Sequence, residues 1–130
     1  MRTIITIILA VLTTNAKADW DSWSESDRRL FVASQIAITA DWVTTRYGAK
    51  HRADLDPQLY ETNKFLGRYP SVGRVDLYHV VMLVSNYYIA DTLPDDRRGF
   101  YLFVRTATHG YAAHHNVLAG WQLKIGRAHV

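Results

Sequence analysis

The sequence predicts an all-α protein: a three-helix bundle after an N-terminal signal peptide, membrane-associated. Two observations carry the helical class. Three stretches, residues 27–47, 72–93 and 98–121, repeat small and apolar residues at helical spacing, and no stretch alternates long enough to argue for a strand. Turn punctuation at Asp56-Pro57, Tyr69-Pro70-Ser71 and Pro94 falls between them. The 130 residues contain no cysteine, which allows one small domain and excludes a disulfide framework or a thiolate metal site.

The chain opens with Met1-Arg2-Thr3, an apolar run from Ile4 to Leu12, and Ala16-Lys17-Ala18, a small-x-small cleavage signature. Residues 1–18 are therefore expected to be a signal peptide, since so short an apolar core does not cross about 30 Å of hydrocarbon. At the other end, Lys124-Ile125-Gly126-Arg127-Ala128-His129-Val130 is what AAG ATC GGA AGA GCA CAC GTC encodes, a sequencing-adapter sequence apart from its first base. Residues 124–130 are accordingly expected to be an adapter-derived artefact, and 19–123 to be the helical domain. The formal charge of +3 rests on Lys+Arg 15 against Asp+Glu 12. Setting aside Arg2, Lys17, Lys124 and Arg127 leaves 11 basic residues against 12 acidic ones, so no electrostatic case for nucleic acid remains.

Before the first helix, Ser24 or Ser26 can act as N-cap, with Glu25 and Asp27 near the positive end of the helix dipole. Trp20 and Trp23 suit either a headgroup interface or a fold back onto the bundle. Within the helix Ser34, Ala37, Asp41, Thr44 or Thr45, and Gly48 share one face, and Val32, Ile36, Val43 and Tyr47 another. The first face is a small, polar seam that lets a neighbour approach closely. Asp41 is its expensive member and requires a partner. The segment from Gly48 to Gly73 loses periodicity, apart from one helical turn expected around Gln58 to Asn63. A connection of this length is more often functional than idle.

The second helix, opened by Ser71 and ended by Pro94, places Asp76, His79, Leu83, Asn86 and Ala90 on a polar face and Leu77, Val80, Val81, Val84 and Tyr88 on an apolar one. Residues 95–99 read as a charged turn. The third helix carries a small seam of Thr106, Gly110, Ala113, Asn116 and Gly120. None of the three has about 20 consecutive apolar residues. Arg46, Lys50, Arg52, Lys64, Arg68 and Arg74 crowd the first connection, against Arg97 and Arg98 at the second, a bias that favours the inner membrane over the soluble periplasm and that Arg28 and Arg29 near the mature N-terminus reduce.

Glu61-Thr62-Asn63-Lys64-Phe65-Leu66-Gly67, Pro70-Ser71 and Arg74-Val75-Asp76-Leu77-Tyr78, together with Asp41-Trp42-Val43-Thr44-Thr45-Arg46 and His115-Asn116, carry a resemblance. The chain resembles a family of short, uncharacterised envelope proteins of phages and proteobacteria, with an E-x-N-P-x-L-G-x-x-P-S loop. It departs from that pattern at Lys64, where the family has proline. The resemblance covers about Asp41 to Gly120 and implies a small multi-helix envelope protein without an assigned activity.

The candidate hub is Asp41, Thr45, Glu61, Asn63 and Arg74. One account is structural: Arg74 or Arg46 pairs with Glu61 or Asp41, while Asn63 and Ser71 cap turns. The other makes the same residues a binding site for an anionic headgroup or a peptidoglycan fragment. The expected partner is membrane lipid or another envelope protein, and no cofactor is expected. A different class, a metal-dependent hydrolase, would use Asp41, His79 and His109. No HExxH occurs, and His109 and His114 are five apart, so they do not share a face. Neither a G-x-S-x-G serine nor a glycine-rich phosphate loop is present.

Overall fold

The structure is a computed structural model describing residues 20–52 and 60–120. The expected signal peptide, the Asp56-Pro57 turn and the 124–130 tail lie outside the described residues. Three helices, α1 (Glu25–Lys50), α2 (Val72–Thr92) and α3 (Asp95–Leu118), run alternately down, up and down, after a 3-10 turn at Trp20–Ser22. Among the described residues there is no strand. Among them, too, no helix is long and apolar enough to cross a membrane, although spanning helices were one expectation.

Helix α1 begins where Ser24 Oγ accepts from the Asp27 amide at 3.1 Å. Ser71 caps α2 in the same way, accepting from Arg74 N at 3.3 Å. The start of α3 differs from expectation. Residues 95–99 are no separate turn: Pro94 ends the extended link and Asp95 already lies in the helix. The reason is electrostatic, since Asp95 and Asp96 sit where the helix dipole favours carboxylates. In the connection before α2, residues 60–63 are not helical; a turn follows at 64–66 instead.

Helix α1 packs most extensively on α3 and less on α2, while α2 and α3 meet only sparingly. At the end holding the α1 N-terminus, Trp23, Ala90 and Leu102 form an apolar cluster flanked by Trp20, Leu30, Phe31, Tyr87 and Tyr101. Trp23 folds back onto the bundle, 2% exposed, and its indole donates to Asp91 Oδ1 at 3.2 Å. Beneath it Arg98, also buried, joins three segments. Its Nε donates to the Ala90 carbonyl at 2.9 Å and its Nη2 to that of Leu93 at 3.0 Å. Its Nη1 pairs with Asp95 at 2.6 Å and lies 3.6 Å from Asp27. Gly99 permits this convergence: a Cβ there would lie 3.1 Å from Asp27 Oδ1.

Away from this end the polarity is inverted. Ser34, Asp41, Thr45, His79, Asn86, His109 and Asn116 are buried, whereas Ile36, Leu77 and Phe103 are 65%, 67% and 59% exposed. The small, polar seam of α1 thus faces its neighbours, and Val32, Ile36 and Val43 face out. Midway, Asn86 Nδ2 ties α2 to α1 through Ser34 Oγ at 2.8 Å and Gln35 Oε1 at 3.1 Å.

Candidate functional site: a carboxylate hub beneath the connecting loop

Asp41 is the centre of the opposite end. Its Oδ2 accepts from His109 Nδ1 at 2.7 Å and lies 3.5 Å from His79 Nε2. Its Oδ1 accepts from Thr45 Oγ1, one turn on, at 3.1 Å. Asn116 of α3 donates to Thr45 Oγ1 at 2.9 Å and to Thr44 Oγ1 at 3.0 Å, closing the network between α1 and α3. Burial works against the ionised carboxylate, but the hydrogen bonds and positive charge of His109 and His79 outweigh it and hold Asp41 below the ordinary carboxylate value.

Both imidazoles have a defined proton. His79 Nδ1 meets the Val75 carbonyl at 2.9 Å, and a carbonyl only accepts, so this nitrogen carries hydrogen. His109 Nδ1 must likewise donate to the ionised Asp41. Trp42 lies parallel to the His79 ring at 6.2 Å between centroids. Its indole and Arg46 Nε both donate to Asp76 Oδ1, at 2.7 and 2.9 Å.

The loop before α2 roofs this network. Leu66 and Gly67 amides both donate to the Asn63 carbonyl at 3.0 Å, and Asn63 Oδ1 accepts from Phe65 N at 3.0 Å. Glu61 accepts from the Asn63 amide at 2.7 Å. Gly67 has φ +81, a conformation that suits glycine. The turn drives Leu66 into the bundle, 2% exposed. Burial raises the Glu61 carboxyl above its usual value, against the lowering influence of the Asn63 amide.

Between roof and bundle lies a cavity of about 490 Å³, lined by Asp41, Thr45, Glu61 and Asn63 along with Leu66, Tyr78, Arg105, His109, Tyr111 and Asn116, among others. Four of the five expected hub residues thus meet around one space. Arg74 does not line it: its Nη2 donates to the Phe65 carbonyl at 2.9 Å and clamps the loop from outside. The expected pairing of Arg74 or Arg46 with Glu61 or Asp41 is replaced by two others, because Asp41 is already matched by histidines and Arg46 finds Asp76. Arg105 was not singled out from the sequence. The available signal was its place four residues before His109, on the same face.

The metal-binding set of Asp41, His79 and His109 does converge, but as a hydrogen-bonded cluster. Ligands on a tetrahedral zinc with bonds of 2.0–2.1 Å stand about 3.3 Å apart, whereas His109 Nδ1 and Asp41 Oδ2 are at 2.7 Å, with a proton between them. Among the described residues no group of three or more His, Asp or Glu is placed to hold a metal ion.

No protein-family model, no curated protein and no solved structure matches this chain.

Proposed function

We propose that this chain is a small, non-enzymatic accessory protein of the cell envelope that acts by binding. Its apolar flanks lie against membrane lipid or another envelope protein, at the inner membrane rather than in the soluble periplasm. The cavity beneath the loop, bounded by Asp41, Thr45, Glu61 and Asn63, receives a ligand. The observation supporting this reading is the inverted polarity: Val32, Ile36 and Val43 on α1, Leu77, Val80 and Val84 on α2, and Phe100 and Phe103 on α3 are exposed, while the polar side chains turn inward. Apolar surface on all three helices calls for a covering phase other than water. The loop resemblance points to the same compartment. The hydrolase reading gains a cluster but no metal-holding geometry, so binding is preferred.

Carbonate extraction of membranes from cells expressing the full chain tests the proposal. Retention in the pellet is expected; complete release into the supernatant would overturn the lipid contact.

A further inference from the structure

The outer wall of α1, opposite its buried seam, is left uncovered by the bundle. Val32, Ile36, Thr39 and Val43 stand exposed along it, alternately four and three residues apart. The same line continues in exposed charged residues, Glu25 and Arg29 before them and Arg46 and Lys50 after them. An interval averaging about 3.5 residues is the repeat by which one helix presents a continuous stripe to another. The central four lie in a shallow, open groove of about 600 Å³ whose lining comes from α1 alone, within residues 31–44. Beside the stripe Ala33 and Ala40, two turns apart, add little bulk, and small residues let a second backbone come close.

Two features decide what covers this stripe. Its apolar part is short: at about 1.5 Å per residue, Val32 to Val43 extends only about 17 Å, against about 30 Å of hydrocarbon in a bilayer. A stripe this short, charged at both ends, matches another helix like itself better than the depth of a membrane. The end charges are also unlike. Glu25 opens the line, paired with Arg29, and Lys50 closes it, outside every ion pair among the described residues. A parallel copy would set Glu25 on Glu25 and Lys50 on Lys50. An antiparallel copy sets Glu25 of each chain beside Lys50 of the other, twice by symmetry, with Val32 against Val43 and Ile36 against Thr39. Arg29 then faces Arg46, each already paired within its own chain, to Glu25 and to Asp76.

We propose that α1 docks through this stripe, antiparallel, on α1 of a second copy of the chain, about a two-fold axis passing between Ile36 and Thr39. This names the protein partner that the binding reading above leaves open, and rests on that reading. The apolar centre supplies the affinity and the rim charges fix the direction. The outer faces of α2 and α3, with Leu77 and Phe103 exposed, stay available to lipid.

The chain has no cysteine, so introduced thiols report on this contact alone. Val32→Cys and Val43→Cys, co-expressed as differently tagged full chains and oxidised in cells with copper-phenanthroline, should form a mixed disulfide dimer. Neither variant alone should cross-link, because in the antiparallel contact two copies of residue 32 lie about 17 Å apart along the helices, beyond disulfide reach. Sedimentation equilibrium of the purified full chain should show a dimer whose Kd rises at least tenfold in Ile36→Asp and is unchanged in Leu77→Asp, on the outer face of α2. Circular dichroism of each variant separates lost association from lost folding. Cross-linking of Val32→Cys by itself, or a monomer at every concentration, overturns the proposal. If that monomer is retained by carbonate-washed membranes and Ile36→Asp releases it, lipid covers α1 and the membrane reading stands without the dimer. A dimer that carbonate releases completely does the opposite, upholding the contact between copies and removing the lipid contact.

Discussion

The two ends of the bundle are held by opposite chemistry. At the upper end Trp23, Phe31, Tyr87 and Leu102 pack as an apolar core, with Trp23 and Phe31 edge to face at 5.7 Å. At the lower end Asp41, Thr45, His109 and Asn116 occupy the corresponding interior and are joined by directed bonds, with His79 Nε2 3.5 Å from Asp41 Oδ2. Apolar burial is non-directional and tolerates small rearrangements. A buried polar network stabilises only when its members are satisfied, and it fixes which helix faces which. The upper end therefore supplies cohesion, and the lower end supplies a defined cavity.

The largest expected effect breaks the upper end. Trp23→Ala removes a fully buried indole and its aromatic neighbours' contacts, and should cost about 3–5 kcal/mol in urea unfolding followed by circular dichroism. At the lower end Asp41→Leu should cost a similar amount, since it strands two histidines and the Thr45–Asn116 pair. The two differ in rescue. Adding His109→Leu to Asp41→Leu should recover about 1–3 kcal/mol relative to the sum of the single losses, because removing both partners of a buried polar pair costs far less than removing one. No second substitution repairs Trp23→Ala in this way. Lys50→Ala, on the exposed end of α1, serves as the neutral control. Strict additivity of Asp41→Leu and His109→Leu would show that the hub does not act as a unit.

The contrast also explains what could be read from the sequence. The seam of Ser34, Ala37, Asp41, Thr45 and Gly48 is legible because helical period alone puts these residues on one face, and all are buried. The placement of His109 inside and His114 outside follows from the same period. Arg98 was not legible. Within Asp95-Asp96-Arg97-Arg98-Gly99 it looks like any solvated charge, and only the start of α3 at Asp95 turns it inward while Arg97 stays exposed. The ends of the loop were marked by Asn63, Gly67 and Pro70. Which cation would face the cavity was not, because that depends on the angle at which α2 and α3 diverge, a tertiary property. Arg105, to which the sequence reading gave no role, lines the cavity, and Arg74, expected in the hub, does not.

A smaller effect distinguishes the two carboxyls of the lower end by pH. Asp41 has a folded value below its unfolded one of 3.8, so its contribution is present above that value and disappears as pH falls through the lowered folded value. Glu61 works in the opposite sense. Its folded value lies above 4.5, so its contribution is present below 4.5 and is lost as pH rises through the raised folded value. Glu61→Gln, which keeps an acceptor for the Asn63 amide but removes the buried charge, should therefore raise stability at neutral pH and leave it unchanged at pH 3. Glu61→Ala, which loses the acceptor, should lower stability at both. Thermal melts across pH 3 to 7 would check the sign; a neutral-pH loss in Glu61→Gln equal to that in Glu61→Ala would mean that the ionised carboxylate is needed.

The smallest expected effect concerns the roof. The Leu66 amide returns to the Asn63 carbonyl at 3.0 Å, which makes Lys64 the second residue of a four-residue turn, the position proline favours. The turn forms without proline because Asn63 holds it twice, through its carbonyl and through Oδ1 on the Phe65 amide. Lys64 donates no backbone hydrogen bond that proline would remove. Lys64→Pro should thus stabilise the chain by about 0.4–1 kcal/mol, chiefly by restricting the unfolded state. The gain should persist in Trp23→Ala, since the two sites share no partner. It should shrink in Asn63→Ala, where the turn the proline presets has lost its side-chain tie. A loss of stability on Lys64→Pro in the parent would mean that the loop is positioned by contacts to the cavity rather than by its own turn.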